Sequence, residues 1–240
     1  MIVSEPTPSA STAGAPGLRL DGIEISVGGR SLLSLTANVG AGDMLTVMGP
    51  SGSGKSSLLG YIAGTLAPAF QAMGTVVLNG RSLIGLPPEQ RRVGMLFQDD
   101  LLFPHLSIGG NLAFALPRDL RGRTARRQVC EAALANAGLE GFYDRDPATL
   151  SGGQRARVAV LRVLQSKPEA LLLDEPFSKL DATLRQTFRT FVFNEARRHA
   201  YRPSWSLTTP PTPAPPVERS SSWRKQSSLI VTETAGRSRS

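Results

Sequence analysis

Apolar and polar positions alternate from Leu18 to Val27 and again from Leu32 to Val39, the period-two pattern of half-exposed strands. Gly28-Gly29-Arg30 between them reads as a hairpin turn. The pattern then becomes continuous. Leu45-Thr46-Val47-Met48 reads as a buried strand, and Ser56-Ser57-Leu58-Leu59-Gly60-Tyr61-Ile62 as the start of a helix. Gly74 to Asn79 is another strand, closed by Gly80. Pro87-Pro88 marks a loop, and Val93 to Phe97 a short buried strand. Residues from about 107 to 166 are mostly helical in pattern, with breaks near Pro117, Gly138 and Pro147. Ala170-Leu171-Leu172-Leu173-Asp174 is apolar throughout, as expected of a central parallel strand. Asp181 is placed to cap a helix running to about His199. Strands alternating with helices predict an open α/β sheet that binds its ligand at the carboxyl ends of the strands. A helical insert, about 100–166, interrupts it.

Composition sets the limits of this unit. The chain has 240 residues, enough for one domain with a smaller subdomain. Residues 1–17 are rich in Ser, Pro, Ala and Thr and read as a disordered leader, without the basic start and apolar run of a signal peptide. Residues 201–240 read as an irregular, disordered tail. Cys130 is the sole cysteine, so no internal disulfide forms and a reducing compartment is natural. No stretch approaches the ~18 consecutive apolar residues of a membrane span, so a membrane role would run through a partner. The net charge of +8 suggests nucleic acid at first sight. Eight Lys/Arg and only two Glu fall from Arg197 onward, however. The body is close to neutral and no nucleic-acid partner is expected.

The chemistry begins at Gly49-Pro50-Ser51-Gly52-Ser53-Gly54-Lys55-Ser56-Ser57, which fits the phosphate-cradling loop G-x-x-x-x-G-K-[ST]. Gly52 and Gly54 let backbone N–H groups turn inward with no Cβ in the way. The helix that follows adds roughly half a positive charge at its start. Lys55 would reach the outer phosphates, and Ser56 would offer a hydroxyl to Mg²⁺. A bare strand-to-helix turn needs no Lys-Ser pair. Two adjacent acids, Asp174 and Glu175, end the last apolar strand. Asp174 suits a Mg²⁺ site, and Glu175 is a candidate general base for the attacking water. Gln98, just past Phe97, can touch both metal and water. Ser151-Gly152-Gly153-Gln154 ahead of a helix forms a second anion site or an ordinary cap. Two phosphate-binding elements on one sheet suggest a site shared between two copies.

Gly49–Ser56, Gln98, Leu150–Gln154, Leu172–Glu175 and Ser178-Lys179-Leu180-Asp181 resemble, in order, the Walker A, Q-loop, signature, Walker B and D-loop of ABC-type ATPases. The run Leu96 to Leu106 resembles that of bacterial importer ATPases, and within those the stretch from Asp146-Pro147-Ala148-Thr149-Leu150 through Ser178-Lys179-Leu180-Asp181 resembles the YnjD-type proteins, with thiamine importer ATPases nearby. The resemblance covers about residues 18–200. It implies a P-loop NTPase core sheet with an antiparallel β subdomain and a helical subdomain. It also implies ATP and Mg²⁺ as ligands and a head-to-tail dimer, in which Ser151–Gln154 of one copy close on Lys55 and Ser56 of the other. An integral-membrane permease would dock near Gln98 and the helical insert. A periplasmic or surface solute-binding protein would act through that permease, and the chain would lie in the cytoplasm on the inner face of the cell membrane. A non-catalytic nucleotide-binding module and a soluble ABC ATPase working on nucleic acid or the ribosome are the competing readings. The latter usually carries a long coiled-coil insert or tandem ATPase units, neither of which this sequence has.

Two departures stand out. The family usually stacks adenine on an aromatic in the early strands, but Ile23 to Gly28 contains none and Val27 stands at that place. The family also carries a histidine about thirty residues after the Walker B glutamate. Here only His199 follows Glu175, too early and late in a helix. A slip of reading frame near Ala200 would explain this, the other reading being the Pro/Ser/Thr-rich disordered tail. Read from the third base of each codon, Ser204 to Thr209 permits Leu-Val-Thr-His-Asp. Serines 220–222 before Trp223 then permit apolar residues of a final strand. Sequencing the gene across codons 195–240 is expected to show Leu-Val-Thr-His-Asp in that alternative frame. A stop codon ahead of it, or its absence, excludes the slip.

Overall fold

The computed structural model describes residues 2–3, 16–41, 43–48, 50, 52–174, 190–192, 194–195 and 226–231. The alternating stretches pair as read. β2 (Gly17–Val27) and β3 (Arg30–Gly40) form an antiparallel hairpin. Leu18, Leu20, Ile23 and Ile25 are buried, while Arg19, Asp21 and Glu24 face solvent. β5 (Phe70–Leu78) pairs antiparallel with β2 and carries the short β6 (Arg81–Ser82), in the order β3-β2-β5-β6. β5 starts four residues ahead of the expected Gly74. The strand passes through Gly74 at φ +97 opposite a register shift between Asp21 and Glu24. A Cβ at Gly74 would stand 2.4 Å from the Gly22 carbonyl oxygen. The glycine permits a bulge here, so it does not mark the strand's end.

The second sheet has the order β1-β4-β9-β8-β7: β1 (Ile2–Val3), β4 (Met44–Met48), β9 (Gln226–Val231), β8 (Ala170–Asp174) and β7 (Val93–Leu96). β7 and β8 are parallel, and β9 opposes both β4 and β8, so β4, β7 and β8 share one direction. Their carboxyl ends lie along one edge of the sheet, where the sequence pattern places a ligand. β8 is interior, as expected, and its two faces serve two cores. Ala170 and Leu172 join the cluster under the antiparallel sheet, whereas Leu171 and Leu173 pack with Val160, Leu164 and Val192. Burial on both faces is why this strand shows no alternation. β7 ends at Leu96, and Phe97, expected within the strand, is 45% exposed.

β9 corrects the reading of the tail. These six residues lie within 201–240, where composition suggested irregular chain, yet they form a strand. Among the described residues β4 and β8 have no direct pairing, and β9 bonds to both. Backbone groups on facing inner edges must find partners. That demand comes from the sheet and is invisible in local composition. Of the helix expected from Asp181 to His199, residues 190–192 and 194–195 are helical and the rest lies outside the described residues.

α1 (Lys55–Ala63) is packed between the sheets. Its Leu58, Leu59, Ile62 and Ala63 share one cluster with Leu45 and Val47 of β4 and the inward residues of β2, β3 and β5. The expected insert is α2 (Ile108–Ala115), α3 (Arg123–Asn136) and α4 (Gly152–Gln165), broken near Pro117, Gly138 and Pro147 as read. Its core includes Ile108, Leu112, Leu134, Val158 and Leu161. Cys130 is fully buried there, and burial pushes its thiol up to about 11, which leaves it unreactive.

The carboxyl end of α1 is closed by its backbone cap, with Gly64 N donating to the Tyr61 carbonyl and Thr65 N to the Gly60 carbonyl, and by one guanidinium. Buried Arg91 donates to the carbonyls of Tyr61 (2.7 Å), Ile62 (3.0 Å) and Leu86 (2.8 Å). Gly64 ends the helix at φ +81, and a Cβ there would meet Arg91 Nε at 2.5 Å. Replacing Arg91 with Met removes these hydrogen bonds and is expected to cost about 1–3 kcal/mol. Thermal unfolding should show it as a drop of roughly 2–4 °C per kcal/mol; an unchanged midpoint would show that the helix end does not rely on Arg91.

Candidate functional site

β4 delivers the chain into the glycine loop, and α1 leaves it. Gly49 and Ser51 lie outside the described residues; Pro50 and Gly52–Ser57 are described. Gly52 and Gly54 both hold left-handed φ, +80 and +86, conformations that disfavour other residues. Gly54 also backs against β3, since a Cβ on it would stand 3.3 Å from the Cβ atoms of Leu32 and Leu33. It forms the N-cap of α1 with no side chain capping it, so the helix end is open to an anion. Lys55 is 6% exposed, and its Nζ donates to the Pro50 carbonyl at 3.0 Å. Ser57 is half-buried in the first turn.

Ser53 bears on what the loop could hold. Its Oγ is buried and, among the described residues, has no hydrogen-bond partner. A buried hydroxyl left unpaired costs free energy, and a phosphate oxygen in the cradle would satisfy it. Ser56 and Asp174, the residues expected to hold a metal, are brought together. Ser56 Oγ donates to Asp174 Oδ1 at 3.1 Å across 118 positions of sequence. Neighbouring oxygens around an octahedral Mg²⁺ lie about 2.9 Å apart for bonds of about 2.0–2.1 Å. Hydroxyl and carboxylate therefore fit as adjacent ligands. Among the described residues no group of three or more His, Cys, Asp or Glu could hold a metal ion.

Glu175 lies outside the described residues, as do the D-loop residues Ser178–Asp181. Gln98 is exposed, two residues beyond β7, at the same sheet edge as the glycine loop and Asp174. β9 enters the sheet at this edge too, with Gln226 opposite Met48 and Ser227 opposite Asp174.

Ser151–Gln154 form a complete capping box. Ser151 Oγ accepts from Gln154 N at 3.3 Å, and Gln154 Oε1 accepts from Ser151 N at 2.9 Å. Both side chains are thus used within the turn. Open space surrounds Gly152 and Gly153, whose added Cβ atoms would meet nothing within 4 Å. Another molecule can approach their bare backbone closely.

One residue escaped the sequence reading. Phe70 is the cross-strand partner of Val27, so an aromatic ring stands beside the position where the early strands lack one. Leu32 and Leu33, which back against Gly54, lie early in β3 of that hairpin. The linear pattern holds no signal for this pairing; only strand register brings Phe70 there.

A strand, a glycine loop with Lys-Ser, a helix and an acid-tipped parallel strand define a P-loop ATPase. The ABC transporter family profile matches residues 32–178, and the chain belongs to that family. It is 53% identical over 168 residues to the uncharacterized ABC transporter ATP-binding protein YnjD of Escherichia coli (strain K12), covering 70% of this chain and 77% of the relative. It is 45% identical over 170 residues to the thiamine import ATP-binding protein ThiQ of Ruegeria sp. (strain TM1040), covering 70% and 71%. It is 43% identical to the sulfate/thiosulfate import ATP-binding protein CysA of Mycobacterium bovis over 64% of this chain and 43% of that protein.

Changing Ser53 to Ala separates phosphate binding from fold. It is expected to leave the nucleotide-free chain as stable or about 1 kcal/mol more stable, because an unpaired buried hydroxyl disappears. The melting shift produced by ATP should shrink. A variant that loses stability without nucleotide while keeping the full shift would contradict this account of the hydroxyl.

Proposed function

We propose that this chain is the ATP-binding subunit of a bacterial importer, coupling ATP binding and hydrolysis to solute passage through a membrane permease. The observation that carries this is the meeting of Ser56 and Asp174 beside an open helix end and an orphaned buried hydroxyl. Gly49–Ser57 hold the phosphates, with Lys55 as the mobile charge. Ser56, Asp174 and Gln98 would hold Mg²⁺, which would supply neutralisation of charge on the transferred phosphoryl group. Glu175 takes the proton of the attacking water, and Gln98 orients that water. Ser151–Gln154 of a second copy close over the γ-phosphate with the bare amides of Gly152 and Gly153. ATP thus offers contacts that exist only in the closed pair, and hydrolysis removes them.

The membrane partner is supported by an apolar surface. Phe97, Leu101 and Phe114 are 45%, 52% and 70% exposed around the segment that follows β7. No helix among the described residues is long and apolar enough to cross a membrane, so the chain reaches the inner face of the membrane through the permease. A solute-binding protein outside acts through that same permease, which also sets the choice of solute. Phe70 beside Val27 offers the nucleobase an aromatic face, and Phe70→Ala is expected to weaken ATP binding by roughly tenfold.

The family histidine is absent from the chain as it stands, and losing one preorganised transition-state contact costs ~10²–10³ in rate. The purified chain is expected to bind Mg·ATP tightly and to turn it over slowly. Glu175→Gln should remove the residual hydrolysis while ATP-driven pairing of two copies persists. Family-normal turnover by the unmodified chain would refute the impairment. Pairing that is lost in Glu175→Gln would refute the role given to Glu175.

A further inference from the structure

The segment after Gln98 is bound to α4 by two arginines spaced two helical turns apart. Arg155 Nε donates to Asp100 Oδ2 at 3.1 Å, and its Nη1 donates to the Leu150 carbonyl at 2.6 Å. Arg162 donates to the carbonyls of Leu101 (2.7 Å) and Asp100 (3.3 Å). The Arg162 guanidinium also lies 5.2 Å over the Phe103 ring. Between these anchors Leu101 holds a left-handed φ of +48, a strained state for a γ-branched residue that persists only when its surroundings over-determine it.

Leu150 immediately precedes the Ser151–Gln154 turn. A single guanidinium therefore joins the carboxylate two residues beyond Gln98 to the carbonyl that leads into the anion-binding cap. The Arg155 and Asp100 side chains are about a third exposed, 38% and 35%. A pair of that kind contributes little to overall stability, so its consequence is positional. Arg162 holds the segment through backbone carbonyls and would keep it in place if the Asp100 charge were lost. The structure thus has a backbone anchor at Arg162, which also feels the Asp100 charge, and a charged link at Arg155.

We propose that Asp100 and Arg155 are positioning residues that tie the Gln98 segment to the Ser151–Gln154 turn. A partner pressing on exposed Phe97 and Leu101 would then alter how Gly152 and Gly153 present their amides to the nucleotide of a second copy. The inference rests on the two-copy site proposed above. The structure shows the guanidinium shared between Asp100 and Leu150; coupling between the two sites requires a second state in which it is released from Asp100.

The full-length chain carrying Asp100→Asn tests this, with Asp100→Glu as the conservative control. Hydrogen exchange across residues 150–156 is expected to quicken about fivefold or more in Asp100→Asn and to return toward the parent in Asp100→Glu. Exchange in α1 and the affinity for Mg·ATP at the glycine loop should stay unchanged. ATP-driven self-association should weaken by a similar factor, and high salt should bring the parent toward the Asp100→Asn behaviour. Unchanged exchange at 150–156 overturns the link. Equal quickening in α1 and β8 also overturns it, since that is general loosening. A parent chain that does not associate with Mg·ATP counts against the two-copy site alone, and the exchange result then decides the link by itself.

Discussion

Everything at the sheet edge depends on the burial of α1 between two sheets. Leu58, Leu59 and Ile62 bind it to both β-layers through one hydrophobic cluster, each such side chain contributing about 1.5–3 kcal/mol. Arg91 binds two carbonyls at its carboxyl end, Tyr61 and Ile62, and ties them to the Leu86 carbonyl. Its amino end has no side-chain cap. A helix held this firmly along its length and at one terminus can leave the other terminus open without unravelling. That open terminus is where the proposed phosphate site lies, and the Ser56–Asp174 hydrogen bond aligns it with the parallel strand β8.

The helical insert is a second body with its own core, and it meets the sheet on the face opposite α1. Leu171 and Leu173 of β8 pack against Val160 and Leu164 of α4, so one five-residue strand carries both interfaces. This places the acid-tipped strand end between the nucleotide helix and the helix that begins with Ser151. The segment after Gln98 spans the same gap, and the two arginines of α4 hold it. A disturbance of that segment has a short route to α4.

Much of this was legible in the sequence, for identifiable reasons. The period-two stretches became the hairpin because one face of an antiparallel sheet is wet. The apolar run 170–173 became an interior parallel strand because both its faces are dry. The loop motif was legible because phosphate binding needs left-handed backbone at fixed offsets, and Gly52 and Gly54 show it. The start of β5 was misread because Gly74 has the look of a terminator. Phe97 was taken for buried because it is apolar, although its strand ends one residue earlier. The strand at 226–231 was missed because its cause lies in the unpaired edges of β4 and β8 and not in its own residues.

By itself the sequence determined the local chemistry: which backbone can turn left-handed, which helix starts can bind an anion, which strand is dry on both sides, and which ordered set of motifs is present. These are properties of neighbouring residues and of their spacing. The tertiary structure alone decided the long-range meetings. Ser56 reaches Asp174, Phe70 stands beside Val27, and Arg155 joins Asp100 to the Ser151 turn. Each is set by strand register or by the packing of one element on another, and those arise from burial summed over whole faces. No short stretch of chain carries that sum.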